Sequence, residues 1–529
     1  MNAHQTIQPT EDHAQEMDRD IVAKVRDLRL KFPGEAAFIF KDLSFSVLRG
    51  EKILLLGPSG SGKSTLLQVL SGIIPLLIEV PIRCTEKTIP SSWGLLFQDP
   101  DTQFCMPYVD EELAFVLENL GVSRSQMSWC MKEVLQQVGL QLNELHIPID
   151  SLSQGMKQRL ALASVLLSNP EVLFLDEPSA LLDPEGRKQI WESIRVIAED
   201  RTLIIVEHRI EEIIDFVDKV VLFDPMGNIL GQGEPEYVFQ KFHRELQEYG
   251  IWYPGVWEDF LESPAGIKLT EPVRSVPVGE AHSSEPILEL ASFRGMRYGK
   301  SVIEVERAEV YPGDFIAVTG PNGAGKSSLL LSLLGLVPSE GSYLLRGTSM
   351  DLIKKRKRKI ERTVREIGFV FQNPEFQFIA DEVYEEIAYS LKGDVLSLQD
   401  ETKRVANILT QFGLAGLERR HPYQLSLGQK RRLSVAGAAV LGKSVLLLDE
   451  PTFGQDAANT FAILQYCEEM RSRGVAIVMV THEEMIAEFI ATHRWVIQGG
   501  RLVVQQETRR VSNQQLVSLE AVAEGGRTM

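Results

Sequence analysis

The nine residues GPSGSGKST at Gly57–Thr65 return as GPNGAGKSS at Gly320–Ser328, which sets Lys63 and Lys326 263 positions apart. Two further segments return in the same order. LSQGMKQRLALA from Leu152 is matched by LSLGQKRRLSVA from Leu425, and VLFLDEPSALLD is matched by VLLLDEPTFGQD. From Ser153 to Asp176 and from Ser426 to Asp449 the interval is 23 positions in both copies. A repeat that keeps both order and spacing means that one folding unit is present twice. The length of 529 residues agrees, because it exceeds what a single hydrophobic core usually serves.

Within each copy, short apolar runs end in glycine turns and lead into helix-forming segments: ILLLG before Gly62, VLFLD before Pro184, and TLIIVEH. Runs apolar on both faces and alternating with helices predict an α/β fold with a mostly parallel sheet covered on both sides. The expected layout is a polar N-terminal tail over 1–20, a first domain over 21–246, a linker over 247–284 and a second domain over 285–529. In the linker, YGIWYPGVWEDF reads as packing on its own domain through Trp252, Tyr253 and Trp257, and the Pro- and Ser-rich remainder as flexible. The copies differ between Lys63 and Gln98, 35 positions, and between Lys326 and Gln372, 46 positions. The excess carries KKRKRK at Lys354–Lys359, whose alternation with Glu361 and Glu366 reads as the solvated face of a short helix.

Composition narrows the function classes. Hydrophobic residues at 44% and charged residues at 24% describe ordinary globular domains. A net charge of -18 argues against broad nucleic-acid binding, which needs a basic surface to displace counterions, and favours a basic partner surface. Cys84, Cys105, Cys130 and Cys467 are dispersed and suggest neither a disulfide framework nor a zinc site. The polar, acidic N-terminal stretch does not read as a secretory signal, and no apolar run approaches the roughly 20 residues that span a bilayer. Any action at a membrane is therefore expected to depend on another subunit.

The G-x-x-x-x-G-K-S pattern lies between an apolar strand and a helix in both copies, the context in which glycines turn backbone N–H groups inward around phosphates. Gly57, Pro58, Ser59, Gly60, Ser61, Gly62, Lys63, Ser64 and Thr65 form the first loop; Gly320, Pro321, Asn322, Gly323, Ala324, Gly325, Lys326, Ser327 and Ser328 form the second. The helix dipole adds to this field, and the two lysines are expected to reach β- and γ-phosphates. Ser64 and Ser327 are expected to ligate magnesium. Asp176 and Asp449, ending buried strands, hold the same ion, and Glu177 and Glu450 act as general bases on the attacking water.

With these motifs in place the chain resembles the ATP-binding-cassette superfamily over nearly its whole length, most closely through the LSxGxxxR pattern at Ser153–Arg159 and Ser426–Arg432. The resemblance implies two tandem nucleotide-binding domains, each with a helical subdomain and a small antiparallel β part, binding ATP and Mg2+. It also implies composite sites. One would join Lys63, Ser64, Gln98, Asp176, Glu177 and His208 to Ser426 and Gly428. The other would join Lys326, Ser327, Gln372, Asp449, Glu450 and His482 to Ser153 and Gly155. In this family Gln98 and Gln372 reach the metal, and His208 and His482 contact the γ-phosphate as neutral imidazoles. Asp183 and Asp456 are near the nucleotide, and Phe32 and Tyr298 stack on adenine. Phe38 and Phe40 compete with Phe32. Two departures stand out: Met156 where the signature usually has glutamine, and Glu207 where threonine commonly precedes the switch histidine. Two competent sites with mild asymmetry are expected.

FQDPDTQF at Phe97–Phe104 and FQNPEFQF at Phe371–Phe378 resemble the ATPases of energy-coupling-factor importers of vitamins and metal ions, and fused pairs of this kind are similar to hydroxymethylpyrimidine or thiamine uptake ATPases. That reading implies a transmembrane coupling subunit and a small membrane substrate-binding subunit as partners, no nucleic acid, and a peripheral place on the cytoplasmic face of the membrane. An exporter ATPase pair and a soluble ABC translation factor are the alternatives; the short linker without a basic stripe disfavours the latter.

Overall fold

Strands such as ILLL and VLFLD have no polar face to offer solvent, so they must lie inside a sheet with both faces covered. In the first unit of the computed structural model they do. Six strands run in the order Ile229–Gly233, Lys219–Phe223, Lys52–Leu56, Thr202–Val206, Val172–Asp176 and Trp93–Leu96. Every neighbouring pair is parallel except the first. A second, antiparallel sheet of Phe40–Leu48, Ile21–Leu30, Ile82–Arg83 and Glu86–Thr88 shares a core with the helix Lys63–Leu70. A helical part consists of Val109–Asn119, Arg124–Gln137 and Gln154–Leu166. The structure describes residues 20–34, 37–270, 285–350, 356–391, 397–439 and 442–508, and the chain divides after Pro254 into two units.

The second unit repeats this plan with one continuous ten-stranded sheet. Its parallel section is His493–Gln498, Phe315–Thr319, Ala476–Val480, Val445–Asp449 and Ile367–Val370. It joins the antiparallel section through Arg501–Glu507 and Lys300–Val310, where Glu304 pairs with Arg501 both in register and through a 3.1 Å ion pair. The expected α/β fold with parallel core, helical part and antiparallel part is present in both units.

The first part of the expected linker is folded. The segment from 247 is folded as far as Thr270, and its aromatic residues divide between the units. Trp252 is buried beneath Arg209, whose guanidinium carbon lies 3.8 Å from the ring centroid. Trp257 and Phe260 instead begin the second unit: the helices Val256–Glu262 and Pro264–Thr270 set them on Phe461, with the Phe260 ring stacked at 3.9 Å and 3°. The reason is area. Large rings dominate burial energetics, and each packs against the apolar face within its reach instead of remaining in a solvated tether. Residues 271–284 of the expected linker lie outside the described residues. So do Lys354 and Lys355 of the basic run, whose continuation is the helix Arg356–Glu366. Among the described residues no helix is long and apolar enough to cross a membrane.

Candidate functional site

Both phosphate loops are shaped by backbone that only glycine adopts easily. Gly62 and Gly325 precede their helices with φ of 92° and 107°, and a Cβ there would lie 2.6 Å from Ile39 and 2.7 Å from the Val302 carbonyl. The helix N-termini Lys63–Leu70 and Lys326–Leu333 carry no side-chain cap, so their N–H groups face the loop. Lys63 Nζ donates to the carbonyls of Gly57 at 2.7 Å and Pro58 at 3.0 Å; Lys326 Nζ donates to Gly320 at 2.8 Å and Pro321 at 3.2 Å. Each ammonium is thus folded back onto its own loop. Ser61 Oγ is buried inside the first loop with no hydrogen-bond partner.

The carboxylates arrive from the ends of Val172–Asp176 and Val445–Asp449. Ser64 Oγ donates to Asp176 Oδ1 at 2.8 Å, and Ser327 Oγ to Asp449 Oδ1 at 3.1 Å. Burial pushes both aspartates up to about 6 against the pull of these hydroxyls and the nearby lysines. Glu177 and Glu450 continue the strand ladder by one amide bond each, to Val206 and Val480, but with φ of 48° and 49°. A left-handed non-glycine residue repeated at the same place is strain of order 1–3 kcal/mol, held by its surroundings. It turns each glutamate from the strand towards a glutamine and a histidine. Gln98 Nε2 donates to Glu177 Oε2 at 2.7 Å, and Gln372 Nε2 to Glu450 Oε2 at 2.9 Å. His208 Nε2 lies 3.0 Å from Glu177 Oε1; His482 Nε2 lies 3.2 Å from Glu450 Oε1, close enough for an ion pair but not aligned as a hydrogen bond. Burial alone would raise both glutamates, but the histidine and then the lysine beside each hold them below the ordinary value. Burial opposes charge on His208 too, yet Glu177 raises it.

A triphosphate with magnesium fits these groups. The lysines rest on carbonyls they can exchange for phosphate oxygens, Ser61 has an unused hydroxyl, and a serine and an unneutralised aspartate meet beside each loop. Ser64, Asp176 and Gln98, and Ser327, Asp449 and Gln372, are the residues that would hold the cation, which supplies charge neutralisation to the phosphates.

The remaining expected residues fall into separate places. Ser153 and Ser426 begin the signature helices, where each Oγ accepts from the backbone N–H three residues on, Met156 and Gln429, at 3.3 Å. Gln429 Oε1 returns the bond by accepting from Ser426 N at 3.0 Å; Met156 cannot, so the first signature helix keeps only half of a capping box. A Cβ at Gly155 would rest in ordinary contact with the Gly186 backbone at 3.8 Å, while one at Gly428 would lie 2.5 Å from the Asn459 side chain. Asp183 and Asp456 are helix caps, accepting from Gly186 N and Asn459 N at 2.8 Å. Tyr298 is fully exposed at a hairpin tip with φ 50°, whereas Phe32 is half-buried against the core of its sheet and Phe40 is fully buried. Phe38 is the exposed ring of that region.

Three features escaped the sequence reading. The Asp-Pro and Asn-Pro of the QDP and QNP runs are turn caps: Asp99 and Asn373 accept from the N–H two residues on. The following glutamine ties this turn to the signature helix, Gln103 donating to the Ala161 carbonyl at 3.4 Å and Gln377 to that of Ser434 at 2.9 Å. Gln158 and the buried Arg431 reach from that helix to the carbonyls of Phe97 and Phe371. The acidic clusters after these turns also divide. Glu112 and Glu386 are buried and accept from two loop amides each at 2.9 Å, while Asp381 is exposed. Finally, Glu207 is fully buried. Its Oε1 accepts from His208 N at 2.9 Å, and its Oε2 accepts from Ser179 Oγ at 2.8 Å and Ser179 N at 3.3 Å. Burial, then the Glu177 charge, pushes it up to about 7.

Fold and site together define a tandem pair of phosphate-loop ATPase domains. The chain belongs to the ABC transporter family, which it matches over residues 40–180 and 306–453. It is 34% identical over 496 residues, 89% of each chain, to the Bacillus subtilis (strain 168) protein named "Putative HMP/thiamine import ATP-binding protein YkoD". A Sulfurisphaera tokodaii protein named "Putative ABC transporter ATP-binding protein" is 32% identical over 91% of this chain and 97% of its own. The fold is shared with an archaeal ribosome recycling factor, aABCE1, solved with the stalk protein aP1: TM-score 0.59, 21% identity, 93% of this chain and 92% of that one.

Proposed function

We propose that the chain is the ATP-hydrolysing subunit of an importer of energy-coupling-factor type. It drives uptake of a vitamin, vitamin precursor or metal ion through a transmembrane coupling subunit and a small membrane substrate-binding subunit, from a peripheral position on the cytoplasmic face of the membrane. The observation that carries this reading is the 34% identity, spread over nearly nine-tenths of both chains, to a relative named for thiamine-type import. The likeness to a ribosome recycling factor, at 21% identity, is one of fold alone.

In this reading both halves hydrolyse ATP. Lys63 and Lys326 bind the terminal phosphates, Glu177 and Glu450 orient and deprotonate the attacking water, and His208 and His482 steady the phosphate being transferred. Ser153 and Gly155 serve the nucleotide of the second loop, and Ser426 and Gly428 that of the first, as the family resemblance implies. Each signature serine is exposed, and its own helix uses the hydroxyl only as an acceptor, which leaves its proton for a phosphate oxygen. Tyr298 and Phe32 take the adenines. Purifying the tagged chain from membranes in mild detergent tests the assignment: two polytopic membrane proteins should accompany it, and ribosomes in their place would overturn it.

A further inference from the structure

We propose that Glu207 is a positioning residue that fixes His208 against the Glu177 turn, and that it makes the first ATP site mechanically different from the second. The inference rests on ATP hydrolysis by the first half and is independent of what is transported.

A carboxyl group with no exposure is expensive to bury, and it is retained without a charge partner only where hydrogen bonds replace water. Here three donors converge on two oxygens. One comes from the peptide that carries His208, and two come from Ser179, two residues beyond Glu177. The side chain therefore bridges the turn after Thr202–Val206 to the turn after Val172–Asp176, the two turns that carry the histidine and the general base. These turns are adjacent already, since their strands pair from Val172 with Thr202 to Asp176 with Val206. What backbone pairing cannot set is where the chain goes after the strands end, and that is where Glu207 acts.

The second half lacks this bridge. Thr481 stands in the position of Glu207, and its Oγ1 accepts from Glu483 N at 3.0 Å within its own turn. Both histidine–glutamate pairs are close, at 3.0 Å in the first half and 3.2 Å in the second, so what distinguishes the halves is the bridge itself. Displacement of a reacting group by about 1 Å can cost on the order of 100-fold in rate, so a brace on these two turns acts on turnover more than on nucleotide affinity.

The test uses the full chain. Glu207→Gln keeps the shape but turns an NH2 group towards converging donors, so one contact becomes donor against donor. ATP turnover should fall about tenfold in kcat, with KM changed by less than about twofold. In protein labelled with 13C-histidine, the imidazole resonance of His208 should move while that of His482 stays. Ser179→Ala should lower kcat by a few fold, and the double variant should lose no more than Glu207→Gln alone, because both changes break one bridge. Unchanged kcat, additive losses in the double variant, or displacement of both histidine resonances would overturn the proposal. Absence of ATP hydrolysis by the unmodified chain would instead refute the reading on which it rests.

Discussion

Replacing Glu177 and Glu450 by glutamine separates base catalysis from binding. Each carboxylate receives the amide of Gln98 or Gln372 on one oxygen and faces a histidine with the other. A glutamine at either position can keep its carbonyl oxygen on the neighbouring amide and turn its NH2 towards an unprotonated Nε2, so the scaffold survives. The lost negative charge also removes what raises His208, which favours that neutral imidazole. What disappears is the base, typically worth about 10²- to 10⁴-fold, or roughly 3–5 kcal/mol of barrier. The double variant should bind Mg-ATP within a few fold of wild type, because Lys63, Lys326 and both loops are intact, and should accumulate in an ATP-loaded form. Phosphate release and equilibrium nucleotide binding on the same preparation measure the two quantities. Release at more than about a tenth of the wild-type rate, with binding intact, refutes the assignment; full activity in one single variant refutes it for that half.

Three further outcomes are expected. Burial raises Glu207 from 4.5 to about 7, so the folded chain favours its protonated form; that stabilisation is complete below about pH 4.5 and is lost, on the order of 3 kcal/mol, as pH rises through 7. Glu207→Gln does not titrate, so its melting temperature should improve relative to wild type between pH 5 and pH 8, and a constant difference refutes the shift. Phe260→Ala removes a ring stacked at 3.9 Å on Phe461 and should destabilise that contact by about 3 kcal/mol, seen as faster hydrogen exchange in the helix Ala457–Ser472; unchanged exchange there would show that the Val256–Glu262 helix adds nothing to the second unit. On the importer reading, the acidic run from Asp381 is where arginines of the membrane partner would pair with carboxylates; Asp381→Lys with Glu382→Lys, outside the nucleotide motifs, should then weaken co-purification with that partner and leave ATP binding intact, whereas unchanged assembly would exclude these carboxylates from docking.

The parts of the site legible in the sequence are those that depend on residue identity at fixed spacing. Glycines that must be left-handed, a lysine one residue later and carboxylates ending an all-apolar strand each have few other uses, and twofold repetition excluded coincidence. What the sequence did not disclose depends on where side chains turn after the backbone is placed. Nothing in DEP signals that the glutamate leaves its strand at φ near 48°, because a left-handed glutamate has no compositional mark. Nothing in the acidic run DEVYEEI tells its members apart, yet Glu386 is buried under two loop amides while Asp381 is exposed, 3.7 Å from the His421 ring. The partners of the linker's aromatic residues were hidden for a related reason. Proline and serine do mark its later part, but whether Trp252 and Trp257 share a surface is decided by apolar faces far away in sequence.

The two halves differ in a particular way. The backbone features of the site are duplicated closely: the left-handed loop glycines, the left-handed glutamates, the aspartate caps of the following helices and the capped turns after the glutamines. The differences are in side chains that satisfy donors around this common frame. Met156 leaves the Ser153 amide without the bond that Gln429 gives Ser426, and Ser61 offers a buried hydroxyl where the second loop has Ala324. Glu207 braces two turns that Thr481 leaves unbraced. A duplicated backbone keeps both sites able to assemble the same constellation, because the positions of the lysine, serine, aspartate and glutamate are fixed by strands and helix starts. Replacing a satisfied donor by an unsatisfied one, or a local turn by a brace, changes instead how rigidly that constellation is held. Unequal turnover of two otherwise complete sites is therefore the functional consequence to look for, with the first half's histidine held more tightly and its signature helix capped more weakly.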